Sequence, residues 1–204
     1  MRKTGQFFIN ENMRLNSKYF SLLMYKVDYD VLLMESKFVK PDRETYTKSG
    51  ICSIVTEFDG RCLQIFYSER TVWNNRLLQA WLRKLLKEKI IEVAGRVLPA
   101  RLHYWEAQKN LKVKSVKVKP LRKNVLGLCY RDGRIELSPK ILLMPESYMD
   151  SVILHEMAHL KYPHHRKSFW KYFSELLGED AHKQKLRRDM DMGTCYLYLD
   201  YIMK

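Results

Sequence analysis

Cysteine is scarce in this chain and never closely paired: there are four in 204 residues, Cys52, Cys62, Cys129 and Cys195, with no CxxC among them. That spacing excludes a zinc knuckle and a dense disulfide framework. Cys52 and Cys62 would meet only if their segments pair, so buried free thiols in a reducing compartment are expected. No apolar run approaches the roughly 20 residues that cross a bilayer. The N-terminus also lacks the series of basic start, hydrophobic stretch and small-residue cleavage site. The expectation is a soluble, cytoplasmic protein with no membrane partner. There is no internal repeat and no low-complexity tract. Acidic residues are in deficit, 23 against 37 Lys and Arg, for a formal charge of +14. Such a balance favours polyanions or acidic partners, but by itself it is weak evidence for nucleic-acid function, and a solvated positive face is the favoured reading.

What is present argues for a folded chain. A hydrophobic content of 46%, with 12% aromatics, excludes wholesale disorder. The length suits one domain, or a catalytic domain with a small extension. Residues 1–70 form a β-rich region: 19–27, 51–58 and 62–67 have strand composition. Asp59-Gly60 between the last two signals a tight hairpin, and Pro41-Asp42 a further turn. A small antiparallel sheet is expected there, either integral to the fold or serving as a substrate-recruiting extension.

From 71 to 93 the apolar period changes. Trp73, Leu77, Leu78, Trp81, Leu82, Leu85, Leu86, Ile90 and Val93 share one face of a helix. Gly95 is expected to end it and Pro99 to open a second helix over 99–110, with Leu102 and Trp105 turned inward. His103 on that helix reads as structural or exposed. Residues 112–119 alternate Lys with Val113, Val116 and Val118, as a strand with one solvated face does. The stretches 125–130 and 134–138 flank a hairpin turn at Arg131-Asp132-Gly133. Over 145–161, Met149, Val152, Ile153, Met157, Ala158 and Leu160 mark a helix with a buried face. The fold class is α+β, with 71–204 as the second region, separate from 1–70 or continuous with it.

That last helix carries HExxH at His155, Glu156 and His159. Residues four apart lie one turn above each other, so both imidazoles can reach one metal ion. Glu156 is offset by about 100° from His155, where it can meet a metal-bound water without ligating the metal. The bland alternative is a pair of satisfied core histidines with Glu156 paired to a lysine. It is disfavoured because imidazoles and a carboxylate on an apolar helix face need a compensating partner. A catalytic zinc has three protein ligands and an exchangeable water. Pro163 stops the helix and turns the chain, and His164 and His165 just beyond it are both candidates for the third ligand.

The run from His155 to Trp170, HEMAHLKYPHHRKSFW, resembles the signature of the YgjP-like metal-dependent hydrolases, related to the WLM and SprT-type zincins. The resemblance implies a zincin-like metallopeptidase fold: a small antiparallel sheet, an HExxH active-site helix and packed flanking helices. It puts the third ligand at His165 and sets Phe169 and Trp170 on the next helix as packing for the ligand loop. Glu175 ranks behind both histidines, since some zincins take a downstream glutamate. A looser likeness extends from about Trp73 to Met192. Where the family commonly carries Arg-Trp-Gly-Ser-Cys before the motif, this chain reads Val125-Leu126-Gly127-Leu128-Cys129 and keeps only the glycine and the cysteine.

The function expected is a zinc-dependent hydrolase, specifically a metallopeptidase acting on peptides or proteins. Zn2+ sits on His155, His159 and His165, and Glu156 is the general base. The hairpin before the motif is expected to offer an edge along which an extended peptide adds as a strand. Tyr162, His164 and Arg166 are near in sequence as oxyanion donors, none of them convincing. Two rivals stand beside this. A nucleic-acid-associated protein, including a protease acting on DNA-bound proteins, would use Lys109, Lys112, Lys114, Lys117, Lys119, Arg122 and Lys123, with Lys183, Lys185, Arg187 and Arg188, as weakly binding basic patches. A zinc-binding scaffold would keep the metal without turnover.

Overall fold

In the computed structural model, which describes residues 9–122 and 124–203 and all their side chains except those of 194–197, strands and helices follow one another in an α+β order. Lys123 and the Cys195 side chain lie outside the described set. The chain divides into two units, Met1–Lys89 and Ile90–Lys204.

The first unit is built on a five-stranded sheet. Its strands are β1 (Leu15–Asn16), β2 (Ser21–Lys26), β3 (Arg43–Lys48), β4 (Ile51–Phe58) and β5 (Cys62–Tyr67), in spatial order β1-β2-β5-β4-β3. The Asp59-Gly60 hairpin forms between β4 and β5. Gly60 takes a positive φ of 90°, and the Asp59 carboxylate accepts from the backbone N–H of Arg61 and Cys62 at 2.8 and 2.6 Å. The sheet is mixed, not wholly antiparallel as expected, because β2 lies parallel to β5. Through the hairpin β4 pairs with one edge of β5, β2 pairs with the other, and the chain passes from β2 to β5 by way of α1 (Tyr29–Glu35), β3 and β4, a long crossover of the kind a parallel pair requires. Leu32 of α1 packs with Cys52 and Val55 in a buried cluster joined by Val27, Leu33 and Phe66. No Cys52–Cys62 bridge forms. Both thiols are free, and the register puts them far apart, Cys52 opposite Thr47 on β3 and Cys62 opposite Ser21 on β2.

The helix expected over 71–93 starts later and runs further than its sequence signals suggest. α2 spans Arg76–Lys109 without interruption, through Gly95 and with Pro99 inside it. Asn75 caps it, its side-chain oxygen accepting from the N–H of Leu77 and Leu78 at 2.9 and 3.2 Å. Trp73 therefore stands before the helix, its ring edge-on to Tyr67. Glycine and proline inside a helix cost about 1 and 3 kcal/mol. Leu82, Leu86, Ile90, Ala94, Leu98 and Leu102 form an unbroken, fully buried stripe across both positions, and burying such side chains is worth about 2 kcal/mol each. The stripe outweighs the two local breakers. Asn110, in the left-handed conformation, follows the last turn.

In the second unit a three-stranded sheet runs β6-β8-β7, from β6 (Ser115–Val118), β7 (Gly127–Cys129) and β8 (Arg134–Leu137). The β7–β8 hairpin closes as expected: Tyr130 N–H donates to Arg134 O at 2.8 Å, and Gly133 turns with φ 85°. Here again the sheet is mixed, since β6 pairs with β8 in parallel. A 3-10 turn, Pro139–Leu143, leads into α3 (Glu146–Ala158), followed by α4 (Lys167–Leu177) and α5 (Ala181–Met203). Among the described residues no helix is long and apolar enough to cross a membrane.

α3 packs against β7, β8, the 3-10 turn and α4, and residues from Tyr148 to Ala158 are buried on nearly every side of it. Its first turns are fixed by Asp150. The carboxylate accepts two hydrogen bonds of 2.6 Å from the Arg101 guanidinium and one of 3.0 Å from the Trp105 indole. Further along, the Tyr148 hydroxyl meets Asp191 of α5, and buried Lys140 pairs with Asp200 of the same helix. Asp150→Ala removes the indole's acceptor and the two-pronged partner of the guanidinium, which keeps Glu146 at 3.3 Å, and is expected to cost about 2 kcal/mol. Chemical denaturation compared with wild type measures the loss.

Candidate metal centre

The spacing of HExxH places His155 and His159 one turn apart on α3, with ring centroids 5.0 Å from each other. α3 ends sooner than expected, at Ala158, so His159 is its C-cap residue. The turn that follows brings the Tyr162 carbonyl back to His159, where Nδ1 lies 2.9 Å away. The N–H at Nδ1 donates to that oxygen, which leaves the Nε2 lone pair of His159 free for a metal.

Pro163 and the loop to α4 then deliver His165. Its Nε2 stands 3.0 Å from Nε2 of His155, and its carbonyl accepts from the Trp170 indole N–H at 3.1 Å. One ligand atom from each of His155, His159 and His165 lies within 4.8 Å of the others. Bonds of 2.0–2.1 Å to nitrogen set a tetrahedral edge of about 3.3 Å, and small imidazole rotations cover the difference. Three imidazoles on one side of a cleft therefore form a set that can hold a divalent ion.

Packing holds these rings in place. Phe169 of α4, fully buried, stacks on His159 at 4.5 Å and meets His155 and His165 edge-on at 4.9 and 4.8 Å. Phe173 meets His155 edge-on at 5.1 Å. This apolar enclosure disfavours an imidazolium: burial first, then the neighbouring imidazoles and the charges of Arg188 and Lys185, push His155 down to about 3. Burial and the adjacent His159 and His164 also lower His165. At these two rings protons therefore compete less with a metal for the lone pair.

Glu156 is buried, and burial raises its carboxyl to about 8 against the opposing effects of the Cys129 amide and Arg188. It lies against β7 in a gap that only glycine leaves. A Cβ built on Gly127 would come within 2.5 Å of Glu156 Cγ and 2.7 Å of Oε1. On either side of β7, Tyr130 N–H donates to Arg134 O and Leu126 O accepts from Ser138 N–H, so the backbone of Gly127 and Cys129 faces away from β8 along the sheet edge. The Cys129 thiol, raised to about 11 chiefly by burial and then by Glu156 and Asp132, stays protonated. Two clefts, of about 380 and 410 Å³, meet at Gly127, His155, Glu156 and His165.

The structure thus brings together His155, Glu156, His159 and His165. His164 points elsewhere: it is half-buried, and its Nδ1 accepts from the Arg166 N–H at 3.3 Å. Neither it nor Glu175 joins the convergent group, and among the described residues that group comprises the three histidines alone. His103 is exposed and paired with Glu106. Sequence reasoning missed the close approach of Gly127, the Tyr162 carbonyl and the presence of Lys185 and Arg188 in the cleft wall. The surviving Gly-Cys spacing was the available signal for the first. The others depend on tertiary folding and leave no local trace.

Comparison with known proteins is informative at one level. No curated protein matches the chain. The crystal structure of the metallopeptidase zymogen of Pyrococcus abyssi abylysin aligns at 24% identity and a TM-score of 0.41, over 48% of this chain and 96% of that one, a likeness too slight to argue from. The YgjP-like family, metallopeptidase domain, matches residues 59–189. That span takes in β5, α2, the β7–β8 hairpin and all three convergent histidines, and on its extent the chain belongs to the YgjP-like metallopeptidase family.

Proposed function

We propose that this metallopeptidase is zinc-dependent, with His155, His159 and His165 as metal ligands and Glu156 as general base in peptide-bond hydrolysis. The observation that carries the reading is the convergence of three imidazoles next to a buried carboxyl group, at the junction of two clefts. The donor set suits zinc: three nitrogens, a protonated Cys129 thiol and room on the cleft side. A zinc ion supplies Lewis acidity, acidifying water and polarising the scissile carbonyl.

Glu156 would take the proton of the attacking water and deliver it to the leaving amine, the charge of a cation bound beside it offsetting the burial that otherwise favours the protonated carboxyl. The Cys129 amide and the space over Gly127 hold its carboxylate toward the cleft. The free edge of β7 lies alongside, and an extended substrate pairs there through the backbone of Gly127, as the sequence suggested. The free thiols of Cys52, Cys62 and Cys129 fit a reducing, cytoplasmic setting.

The nucleic-acid reading finds less support. Lys114, Lys119, Lys185, Arg187 and Arg188 each have an acidic partner, which reduces the charge they would offer to phosphates. A scaffold without turnover is separated from an enzyme by Glu156→Gln. In the zinc-loaded protein this change is expected to lower kcat about 10²- to 10⁴-fold with zinc content unchanged. Wild-type protein that binds zinc and cleaves nothing would favour the scaffold. A second variant probes the gap over β7. Gly127→Ala forces the Glu156 side chain to move, so kcat is expected to fall at least about tenfold while KM, zinc content and melting temperature stay close to wild type. Full kcat with alanine in place would mean that Glu156 does not act from its observed position.

A further inference from the structure

The cleft of about 380 Å³ beside His155 and Glu156 carries charges that the proposed hydrolysis does not use. Its walls are largely apolar, from Val152, Trp170 and Phe173, and α5 adds Lys185 and Arg188. These two residues are three apart and so share a helix face. Arg188 is well enclosed, its side chain 12% exposed, whereas Lys185 is 48% exposed. Both contact Asp189, Lys185 at 2.6 Å and Arg188 at 3.2 Å. One carboxylate therefore serves two cations, and the cluster keeps a net positive charge. Among the described residues that line this cleft, Glu156 is the one acid. The charge of Arg188 also reaches both His155 and Glu156, so the cationic cluster sits close to the reacting position.

A guanidinium against apolar walls suits one class of group. It offers a planar fork of donors that matches a carboxylate, and the low polarity around it strengthens the attraction. Asp189 holds the two side chains in place and leaves Arg188 with donors to spare, since it engages the guanidinium from one side through Nε and Nη2. The opposite cleft, of about 410 Å³, is lined by Leu128, Tyr130, Arg131 and Pro163. Among the described residues its lining holds no comparable pair of cations.

Resting on the peptidase reading, we propose that Lys185 and Arg188 form a carboxylate-binding subsite, which selects substrates bearing an acidic side chain or a free C-terminal carboxylate close to the scissile bond. Charge-assisted hydrogen bonds of this kind are worth about ten- to a hundredfold in recognition.

The test uses the zinc-loaded full chain and a series of fluorogenic peptides that carry Glu, Gln or Lys at each position around the cleavage point, every member made with a free and an amidated C-terminus. A side-chain subsite gives Glu over Gln by about ten- to a hundredfold in kcat/KM at one position. A terminal-carboxylate subsite instead gives the free acid over the amide by the same factor. In either case Arg188→Gln brings the ratio toward one, and Arg188→Glu turns the preference toward Lys peptides. Arg187→Gln serves as the control for the general positive field, because Arg187 is on α5 but not in the cleft lining, and it is expected to keep the preference. Equal turnover of Glu, Gln and Lys peptides with no effect of amidation overturns the subsite and leaves the peptidase reading intact. An equal loss of preference in Arg187→Gln and Arg188→Gln also overturns it. If no peptide is cleaved, the peptidase reading fails, and binding of the same peptides to zinc-loaded Glu156→Gln protein still decides the subsite. At least tenfold tighter binding of the carboxylate peptide upholds it, and equal binding overturns it.

Discussion

A carboxylate and an imidazole carried on a helix that is buried on nearly every side must be compensated, or the helix will not form there. In α3 that requirement falls on Glu156 and His155, and much of the second unit answers it. Glu156 meets the Cys129 amide across a strand that has glycine where any side chain would collide. His155 faces His165 and two phenylalanine rings and stays uncharged. His159, at the helix end, has its tautomer set by the Tyr162 carbonyl. Each device satisfies one polar atom and leaves another aimed at a shared point. The same contacts that make the burial tolerable also bring together the groups to which the proposed chemistry is assigned.

The surrounding elements serve as supports for this helix. Arg101 and Trp105, near the end of α2, fasten its first turns through Asp150. α4 supplies the aromatic face, and its Trp170 also grips the loop after Pro163 by the His165 carbonyl. Trp170 in turn stacks on His182 of α5 at 4.0 Å. α5 therefore does two things: it backs the aromatic wall and presents Lys185 and Arg188 to the cleft. Catalysis and selectivity are thus proposed to come from different helices around one cavity.

Much of this was legible in the sequence because the signals were local. HExxH on an apolar period gives two histidines and a glutamate on adjacent faces, and the turn pairs Asp59-Gly60 and Asp132-Gly133 mark both hairpins. The sequence did less well where long-range packing overrides a local signal. Gly95 and Pro99 are sound stop signals, yet α2 continues because its buried stripe does. Parallel pairing in both sheets escaped notice because strand direction follows from crossover paths, which composition does not encode. The choice of His165 over His164 came from family likeness, since adjacent histidines in a turn are locally equivalent. It is the backbone after Pro163 that turns one inward and gives the other to Arg166.

The central claim is that three histidines and no sulfur hold a zinc ion with a position left for water. Zinc K-edge X-ray absorption on the full chain loaded with one equivalent of zinc tests it directly. The account predicts three imidazole nitrogens and one further light atom at about 2.0 Å. A sulfur shell at about 2.3 Å, or a fourth imidazole closing the site, would contradict it.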